Sequence, residues 1–340
     1  MPVATYIILF IAFLAVEALY IKVVGHCGSL LKAPNHRSSH TLPTVTGGGI
    51  VIYIAAVVAA VMFMPFDLAL SFICPLTLLA AVSFADDIRD LPVASRMVAQ
   101  IASVNLAILL YTSEWQGLCH LSGLLFLILV ALPLVYIINV YNFMDGISGM
   151  HAAYTLVVLG SLYLWGDWAD EWFRPALIVI ALGVAAFAFF NFRVPAKCFS
   201  GDVGSISAGF IVLFMFVCGD MHAELQSILI FTLPMMLSVY LVDGTLTIIR
   251  RLINGRNIFA SHREHLYQLL ANECGIPHLV IASTYALLQL AINVAGYVWF
   301  HNSMLGAYTF FVYLALSIIH ITAVNIIHRR TAKRNIDNND

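Results

Sequence analysis

Residues 121–138 read LSGLLFLILVALPLVYII, an apolar run without a charged side chain. A helix of this length rises about 27 Å at about 1.5 Å per residue, close to the hydrocarbon thickness of a bilayer. Unpaired backbone amides are costly in lipid, and the run lacks the strict alternation of a barrel strand. The stretch therefore predicts a transmembrane α-helix.

Comparable runs recur along the whole chain. Of its 340 residues, 61% are apolar and 10% charged, whereas soluble domains carry roughly a quarter charged residues. We count about eleven runs near the length needed to span a bilayer: 3–24, 47–64, 68–84, 95–112, 121–138, 150–165, 175–191, 205–219, 226–241, 278–299 and 305–327. The sequence predicts an all-α polytopic membrane protein, with residues 1–328 as a single domain and residues 329–340 as a polar cytoplasmic tail.

Basic residues lie on one side of this predicted topology. With eleven spans, nearly all Lys and Arg fall in the odd-numbered loops and in the C-terminal tail. Arg174 falls on the other side, in a loop that is otherwise acidic. The positive-inside rule therefore places the odd loops and the C-terminus in the cytoplasm and the N-terminus outside. Most polar clusters also lie in the odd loops, so we expect a cytoplasmic active site.

An acidic cluster, Asp86-Asp87 with Asp90, follows the third run. Carboxylates at a helix C-terminus are opposed by the helix dipole and call for a compensating cation. Magnesium takes oxygen ligands from one or two carboxylates together with phosphate and water, so the cluster could position metal or phosphate. The alternative is a solvated loop in which the acids pair with Arg89 and Arg96.

A second polar cluster, NVYNFMDGISG at 139–149, follows the fifth run and contains no basic residue. If the helix continues to Asp145, the side chains of Asn139, Asn142 and Asp145 lie close to one face. Amides and a carboxylate can read a nucleobase edge or a ribose, and Asn142 could also ligate a hard cation. Solvation alone explains this cluster poorly.

Glycine-rich segments precede two helices. GDVGS at 201–205 could hold Asp202 against a metal or phosphate, although Asp202 or Ser205 could equally be a plain helix cap. The triple glycine at 47–49 could let the backbone approach a ligand, or it could pack against a neighbouring helix.

The ninth loop is the longest and begins at Asp243. It ends in SHREHLYQ at 261–268, where two histidines and an arginine could grip a diphosphate. The His-Glu-x-x-His pattern of zinc proteases is absent from this segment. Arg250 and Arg251 could instead be topology anchors that contact anionic lipid.

Taken in order, these motifs resemble those of the polyprenyl-phosphate N-acetylhexosamine-1-phosphate transferases, glycosyltransferase family 4. The resemblance covers residues 34–268, including HRSSH at 36–40 ahead of the glycines. VDGT at 242–245 with HREHLYQ at 262–268 is most similar to the branch that initiates O-antigen or capsular glycans. The muramoyl branch has consecutive histidines in this loop, and this chain does not.

The resemblance implies roles for individual residues. Asp86, Asp87 and Asp202 are expected to be catalytic, and Asp202 and Asn142 to ligate Mg²⁺, with Mn²⁺ as a substitute. The residues expected to bind substrate are His40, Gly48, Asn139, Asn142, Asp145, His262, Arg263 and His265.

It also implies a reaction and a location. N-acetyl-hexosamine-1-phosphate would pass from a UDP-sugar of the UDP-GlcNAc, UDP-FucNAc or UDP-QuiNAc type to undecaprenyl phosphate. The products would be undecaprenyl-diphosphate-sugar and UMP, the initiating step of a lipid-linked surface glycan such as lipopolysaccharide O-antigen. We expect a bacterial inner-membrane enzyme with membrane lipid around it, a homodimer as one option, and no nucleic-acid partner. The alternative function is a transporter or flippase of a lipid-linked glycan, whose site would lie near the bilayer midplane.

Overall fold

The computed structural model describes residues 1–28, 30–32, 43–111, 121–165, 170–219, 231–258, 260, 262–300 and 304–337. Strands in this part of the chain are limited to β1 (Leu31–Lys32) and β2 (Thr44–Val45), which pair antiparallel. Nearly all other described residues are helical, so the prediction of an all-α fold is confirmed.

The described residues before 220 form eight helices: α1 (Val3–Cys27), α2 (Ile50–Phe63), α3 (Phe66–Ile88), α4 (Val93–Tyr111), α5 (Leu121–Phe143), α6 (Met150–Trp165), α7 (Phe173–Asn191) and α8 (Gly201–Gly219). Five more follow: α9 (Leu233–Met236), α10 (Ser238–Ile253), α11 (Leu266–Asn272), α12 (His278–Phe300) and α13 (Leu305–Asp337). Within the described residues, 7 of the helices are long and apolar enough to cross a membrane, and α2, α6 and residues 130–143 of α5 are shorter apolar helices. Every predicted span except the ninth coincides with one of these helices.

The prediction of a ninth span at 226–241 is wrong in its described part. The chain forms α9, breaks at Leu237 and continues as α10 to Ile253. Asp243 and Arg251 are therefore buried helical residues, and the loop that was expected to begin at Asp243 begins after Ile253. Apolar composition alone does not reveal the break, because both sides of Leu237 remain apolar.

Gln289 of α12 supplies hydrogen bonds to the broken helix. Its Oε1 accepts from the amide of Val239 at 3.0 Å, and its Nε2 donates to the carbonyl of Met235 at 3.0 Å. Backbone groups released inside a membrane protein need such partners. The break at Leu237 is thus stabilised by a side chain from a distant part of the sequence.

Much of the predicted polar tail is helical. Helix α13 continues through Asp337, so residues 329–337 are helical. Residues 338–340 lie outside the described part of the chain. Consecutive polar residues can extend a long helix, so the polarity of the tail alone did not predict whether it would be helical.

Helix α8 lies in the centre of the bundle. Of its apolar window, 83% is buried, more than in any other helix long enough to span a membrane. Its first turn crosses the start of α2, where Gly49 packs directly on Gly204. The amide of Gly49 donates to the carbonyl of Ser200 at 2.9 Å. This close crossing places the N-termini of α2 and α8 beside the end of α3.

Candidate active site

Asp87 joins the end of α3 to the beginning of α8. Its Oδ1 accepts from the amide of Asp202 at 3.0 Å and its Oδ2 from the amide of Val203 at 3.1 Å. The side chain is 1% exposed, with Lys32 Nζ 3.9 Å from Oδ1. Free amides at a helix N-terminus attract negative charge. The α8 N-terminus therefore offsets the unfavourable position of this carboxylate on α3, and Asp87, not Asp202 or Ser205, accepts from these two amides.

Arg96 of α4 links two more carboxylates. Its Nη1 lies 2.9 Å from Asp86 Oδ2 and 3.4 Å from Asp202 Oδ2. Asp86 Oδ1 also accepts from the amide of Leu91 at 2.6 Å. The predicted pairing of the acidic cluster with Arg96 is confirmed. Asp202 keeps 22% of its side chain exposed, so it remains accessible to a ligand.

Asp145 lies near this acidic group but not on the helical face that the spacing suggested. Helix α5 ends at Phe143, and Asp145 follows in the next turn. Burial, followed by the negative charges of Asp202 and Asp87, raises the pKa of Asp145 well above its ordinary value. The prediction that the helix continues to Asp145 is wrong, although the residue still belongs to the same electrostatic cluster.

A cleft of about 460 Å³ opens beside the carboxylates. Helices α4, α5, α8 and α11 and the segment before α11 supply its polar lining, which consists of Arg96, Gln100, Tyr136, Asn139, Asn142, Asp202, His262, His265 and Gln268. Polar clusters predicted to share one face thus meet at one cleft. Their chemical roles stay predictions.

Two of these side chains have polar atoms without a protein partner. No hydrogen bond to the side chain of Asn142 occurs within the described part of the chain. His262 Nδ1 lies 3.2 Å from the carbonyl of Ala260, whereas its Nε2 is buried and unpartnered. Burial, reinforced by the neighbouring His265, lowers the pKa of His262 to about 4. At neutral pH His262 therefore offers a neutral ring nitrogen to the cleft.

The segment before α11 is held by Asp243 of α10. The carboxylate accepts from the amides of Leu266 at 2.9 Å and Tyr267 at 3.3 Å. His265 Nδ1 and His320 Nε2 lie 3.4 and 3.3 Å from Asp243 Oδ1. Sequence analysis treated Asp243 only as the start of a loop. Its partners come from separate elements, so no local pattern could have identified this role.

Three arginines anchor the same segment through Glu264. Arg251 pairs with the Glu264 carboxylate, Arg256 Nη1 lies 2.7 Å from Oε1, and Arg250 donates to the Glu264 carbonyl. Burial raises the pKa of Glu264, but the hydrogen bond from Arg256 and the charge of Arg251 outweigh it and lower the pKa. These arginines therefore order the loop. Arg263, which was expected to bind substrate, is not among the residues that line the cleft.

Two other expected substrate contacts are not seen at the cleft. His40 lies at 33–42, outside the described residues. The amide of Gly48 donates to the carbonyl of Phe199 at 2.9 Å, and a Cβ there would lie 2.6 Å from Glu17 Oε1. Gly48 is absent from the cleft lining, so the structure favours the packing interpretation of the triple glycine. Ligand contacts by His40 and Gly48 stay predictions.

The donor set at the cleft suits a hard cation. Asp202 offers a partly exposed carboxylate and Asn142 an amide oxygen without a protein partner, the ligand type that Mg²⁺ and Mn²⁺ accept. The described residues contain no group of three or more His, Cys, Asp or Glu that could hold a metal by themselves. A magnesium ion here would need water or substrate phosphate as further ligands, which is its usual mode of binding.

An apolar groove of about 70 Å³ is lined by other residues of the same helices α4, α5 and α8. On α4, the cleft residues Arg96 and Gln100 are followed on one helical face by groove residues Val104 and Ala107. On α8, Asp202 and Ile206 of the cleft are followed by further groove residues, Phe210, Leu213, Phe214, Val217 and Cys218. We call this combined surface the α4–α8 stripe. It is polar at the N-terminal ends of both helices and apolar beyond them.

Comparison with known proteins gives one family match. Residues 69–220 match glycosyl transferase family 4, and these residues include the acidic cluster, the asparagines and Asp202.

Three curated relatives show the range of similarity. A probable undecaprenyl-phosphate N-acetylglucosaminyl 1-phosphate transferase of Bacillus subtilis is 26% identical over 58% of this chain and 52% of the relative, so the match spans about half of that protein. A phospho-N-acetylmuramoyl-pentapeptide-transferase of Lactococcus lactis is 27% identical over 65% and 70%. A decaprenyl-phosphate N-acetylglucosaminephosphotransferase of Mycobacterium leprae is 24% identical over 84% and 82%.

Proposed function

We propose that this chain, whose residues 69–220 match glycosyl transferase family 4, transfers N-acetyl-hexosamine-1-phosphate from a UDP-sugar to a polyprenyl phosphate. One observation carries the proposal. The α4–α8 stripe joins a polar cleft, which contains Asp202 and Asn142, to an apolar groove. An enzyme that joins a water-soluble nucleotide sugar to a lipid phosphate needs both surfaces side by side.

The apolar surface of the groove suits contact with part of the hydrocarbon chain of the acceptor. From Asp202 to Val217 the α8 part of the stripe runs about 22 Å at about 1.5 Å per residue. Ten residues line the groove, and nearly all of them are aliphatic or aromatic. A polyprenyl chain in this groove would place its phosphate beside Arg96, Asn142 and Asp202.

Charge neutralisation is the main chemical demand, because both substrates are anions. Asp202 and Asn142 would hold magnesium, which when bound supplies positive charge for the phosphates. Arg96 supplies a fixed guanidinium in the same cleft. Nδ1 of the neutral His262 ring faces the carbonyl of Ala260 and therefore carries the ring hydrogen, so Nε2 can accept a hydrogen bond from a hydroxyl or amide group of the sugar. In-line positioning by such groups is the principal contribution of a protein to phosphoryl transfer.

In the proposed reaction, an oxygen of the polyprenyl phosphate attacks the phosphorus that bears the sugar. A new P–O bond forms, the bond to the UMP phosphate breaks, and UMP leaves with the electron pair. Because a phosphate monoester has a second pKa near 6, the attacking oxygen already lacks a proton for much of the time at neutral pH. We therefore assign positioning, not proton removal, to Asp86 and Asp87.

For the donor we propose a UDP-N-acetyl-hexosamine of the UDP-GlcNAc, UDP-FucNAc or UDP-QuiNAc type. The names of two relatives specify N-acetylglucosamine phosphate transfer to a polyprenyl phosphate. A pentapeptide-transferase is similarly distant from this chain, but the separated His262 and His265 differ from the consecutive histidines of that branch. We propose undecaprenyl phosphate as acceptor, the bacterial inner membrane as location and a lipid-linked surface glycan as the product pathway.

The proposal is tested by incubating membranes that contain the protein with undecaprenyl phosphate, Mg²⁺ and each labelled UDP-N-acetyl sugar. We expect label in the organic extract with one sugar, together with an equal amount of UMP. The variant Asp202→Asn serves as the matched negative control. Absence of both labelled lipid and UMP with every sugar contradicts the transferase and favours transport of a lipid-linked glycan.

A further inference from the structure

Gln100 of α4 occupies the boundary between the two parts of the α4–α8 stripe. It is 3% exposed and lines the cleft. Arg96 lies one turn before it in the polar part, and Val104 lies one turn after it in the groove. Among the α4 residues that line the cleft, Gln100 is therefore the one nearest to the groove. The four-residue spacing from Arg96 along one helical face is visible in the sequence.

Asn139 fixes the orientation of the Gln100 carboxamide. Asn139 Nδ2 donates to the backbone carbonyl of Val135 at 2.8 Å and to Gln100 Oε1 at 2.6 Å. The carbonyl of Val135 can only accept, so the Asn139 side-chain atom that contacts it must be the donor Nδ2. The Gln100 atom that faces the same Nδ2 must then be the acceptor Oε1. The Nε2 group of Gln100 is thereby turned away from this short bond.

This orientation leaves Gln100 with donor capacity. An amide Nε2 carries two hydrogens, and within the described part of the chain it has one acceptor, Asn139 Oδ1 at 3.5 Å. That distance is at the outer limit of a hydrogen bond. A ligand oxygen in the cleft can therefore accept from Gln100 without breaking a strong existing contact.

The position of this donor indicates which ligand it contacts. A nucleotide sugar has no hydrocarbon part, whereas a polyprenyl phosphate changes from charged to apolar at its phosphate ester. A molecule lying along the stripe with its chain in the groove has its phosphate at the boundary residue. A neutral donor there can bind a phosphate oxygen while Arg96 remains paired with Asp86 and Asp202.

We propose that Gln100, oriented by Asn139, hydrogen-bonds the phosphate of the acceptor lipid and so determines acceptor affinity. This assignment rests on the proposed transferase function. It gives Asn139, which the resemblance associates with uridine, a positioning role toward the acceptor. The binding residue for the acceptor is thus separate from Asp202 and Asn142.

The test compares KM values for the two substrates in detergent-solubilised full-length protein. For Gln100→Leu we expect the KM for undecaprenyl phosphate to rise about tenfold or more, the effect of losing a hydrogen bond to a charged group. The KM for the UDP-sugar should stay within about twofold of wild type on the same reasoning. Gln100→Glu, which keeps the size but replaces donors with a negative charge, should raise the acceptor KM further.

Asn105→Leu is the matched control, because it makes the same kind of change on α4 outside the residues that line the cleft. Retained UMP binding by each variant shows that the cleft is folded. Asn139→Leu should raise the acceptor KM, and its effect should not add to that of Gln100→Leu.

Two results overturn the assignment: an unchanged acceptor KM in both Gln100 variants, or an equal rise in the KM of the UDP-sugar. A wild-type protein without transferase activity would instead refute the proposed function. If Gln100→Leu loses UMP binding, the Gln100→Glu variant decides between these outcomes.

Discussion

The carboxylate of Asp87 has a structural task that constrains any chemical task. Both of its oxygens already accept backbone amides from the first turn of α8. The negative charge also lies at the positive end of that helix dipole. Asp87 therefore holds Asp202 in place, and Asp202 keeps an exposed carboxylate for ligands.

The variant Asp87→Asn distinguishes the structural role of this carboxylate from a role in proton transfer. Asp87→Asn turns one accepting oxygen into an NH₂ group that faces a backbone N–H, so we expect unfolding free energy to fall by about 1–3 kcal/mol. Turnover should also fall because Asp202 moves. The pH optimum should change little, since no proton transfer is assigned to Asp87. Thermal unfolding and pH–rate profiles measure both effects, and exposed Asp90→Asn is the control. Disappearance of the acidic limb from the profile would instead identify Asp87 as a general base.

The lowered pKa of His262 makes the stability of the fold depend on pH in the acidic range. A histidine in an unfolded chain has a pKa of about 6.5, and in the folded protein the pKa of His262 falls to about 4. Protons therefore bind the unfolded chain preferentially between these two values, and stability decreases as pH is lowered through that window. We expect His262→Gln to lose less thermal stability than wild type between pH 7 and pH 5. Exposed His328→Gln is the control, and equal losses in wild type and His262→Gln would contradict the expectation.

At the scale of elements, the crossing of α2 and α8 fixes the distance between the cleft and the glycine segment. Gly49→Ala would drive a methyl group into the backbone of Gly204 and within 2.8 Å of Ser200 Oγ. Overpacking of this kind costs about 1–3 kcal/mol. We expect lower thermal stability and lower UMP affinity, because the first turn of α8 carries Asp202.

Gly160→Ala provides the matched control on α6. Apart from the nearby backbone of α6 itself, no atom of the described residues lies within 4 Å of a Cβ at Gly160, and alanine favours a helix over glycine by about 0.5–1 kcal/mol. Stability should therefore stay the same or rise slightly. Destabilisation of both variants to the same degree would show that the glycine contact at the crossing has no special role.

An element can be predicted from the sequence when its own residues stabilise it, but not when residues far away in the sequence do. Apolar length predicts α1 to α8 because burial in lipid is a property of each segment alone. The family resemblance assigned Asn142 and Asp202 to one site, and both residues line the cleft. The break at Leu237 and the contacts of Asp243 were not predicted, because their partners, such as Gln289 and His320, lie far away in the sequence.

At the scale of the whole molecule, the charge distribution predicts an orientation in the membrane. Glu171 and Lys197 flank α7 at its two ends, and both are exposed. The positive-inside rule puts Lys197 in the cytoplasm and Glu171 outside. The cleft shares the side of Lys197, because residues 198–200 pair with the segment that begins α2.

Single-cysteine variants test this orientation in a background without native cysteines. A membrane-impermeant maleimide applied to intact cells should label Glu171→Cys and spare Lys197→Cys. Permeabilised cells, in which both variants should react, provide the control. Labelling of Lys197→Cys alone in intact cells would indicate the opposite topology, with the cleft outside and away from cytosolic UDP-sugars.

The hydrogen bonds of Gln289 make the register of α12 unusually important. Each residue of an α-helix turns the chain by about 100°. One extra residue in α12 before Gln289 would swing this side chain away from Met235 and Val239, although the helix itself would remain apolar. Related chains that share this break should therefore tolerate changes of length in their loops, but not between the beginning of α12 and the glutamine.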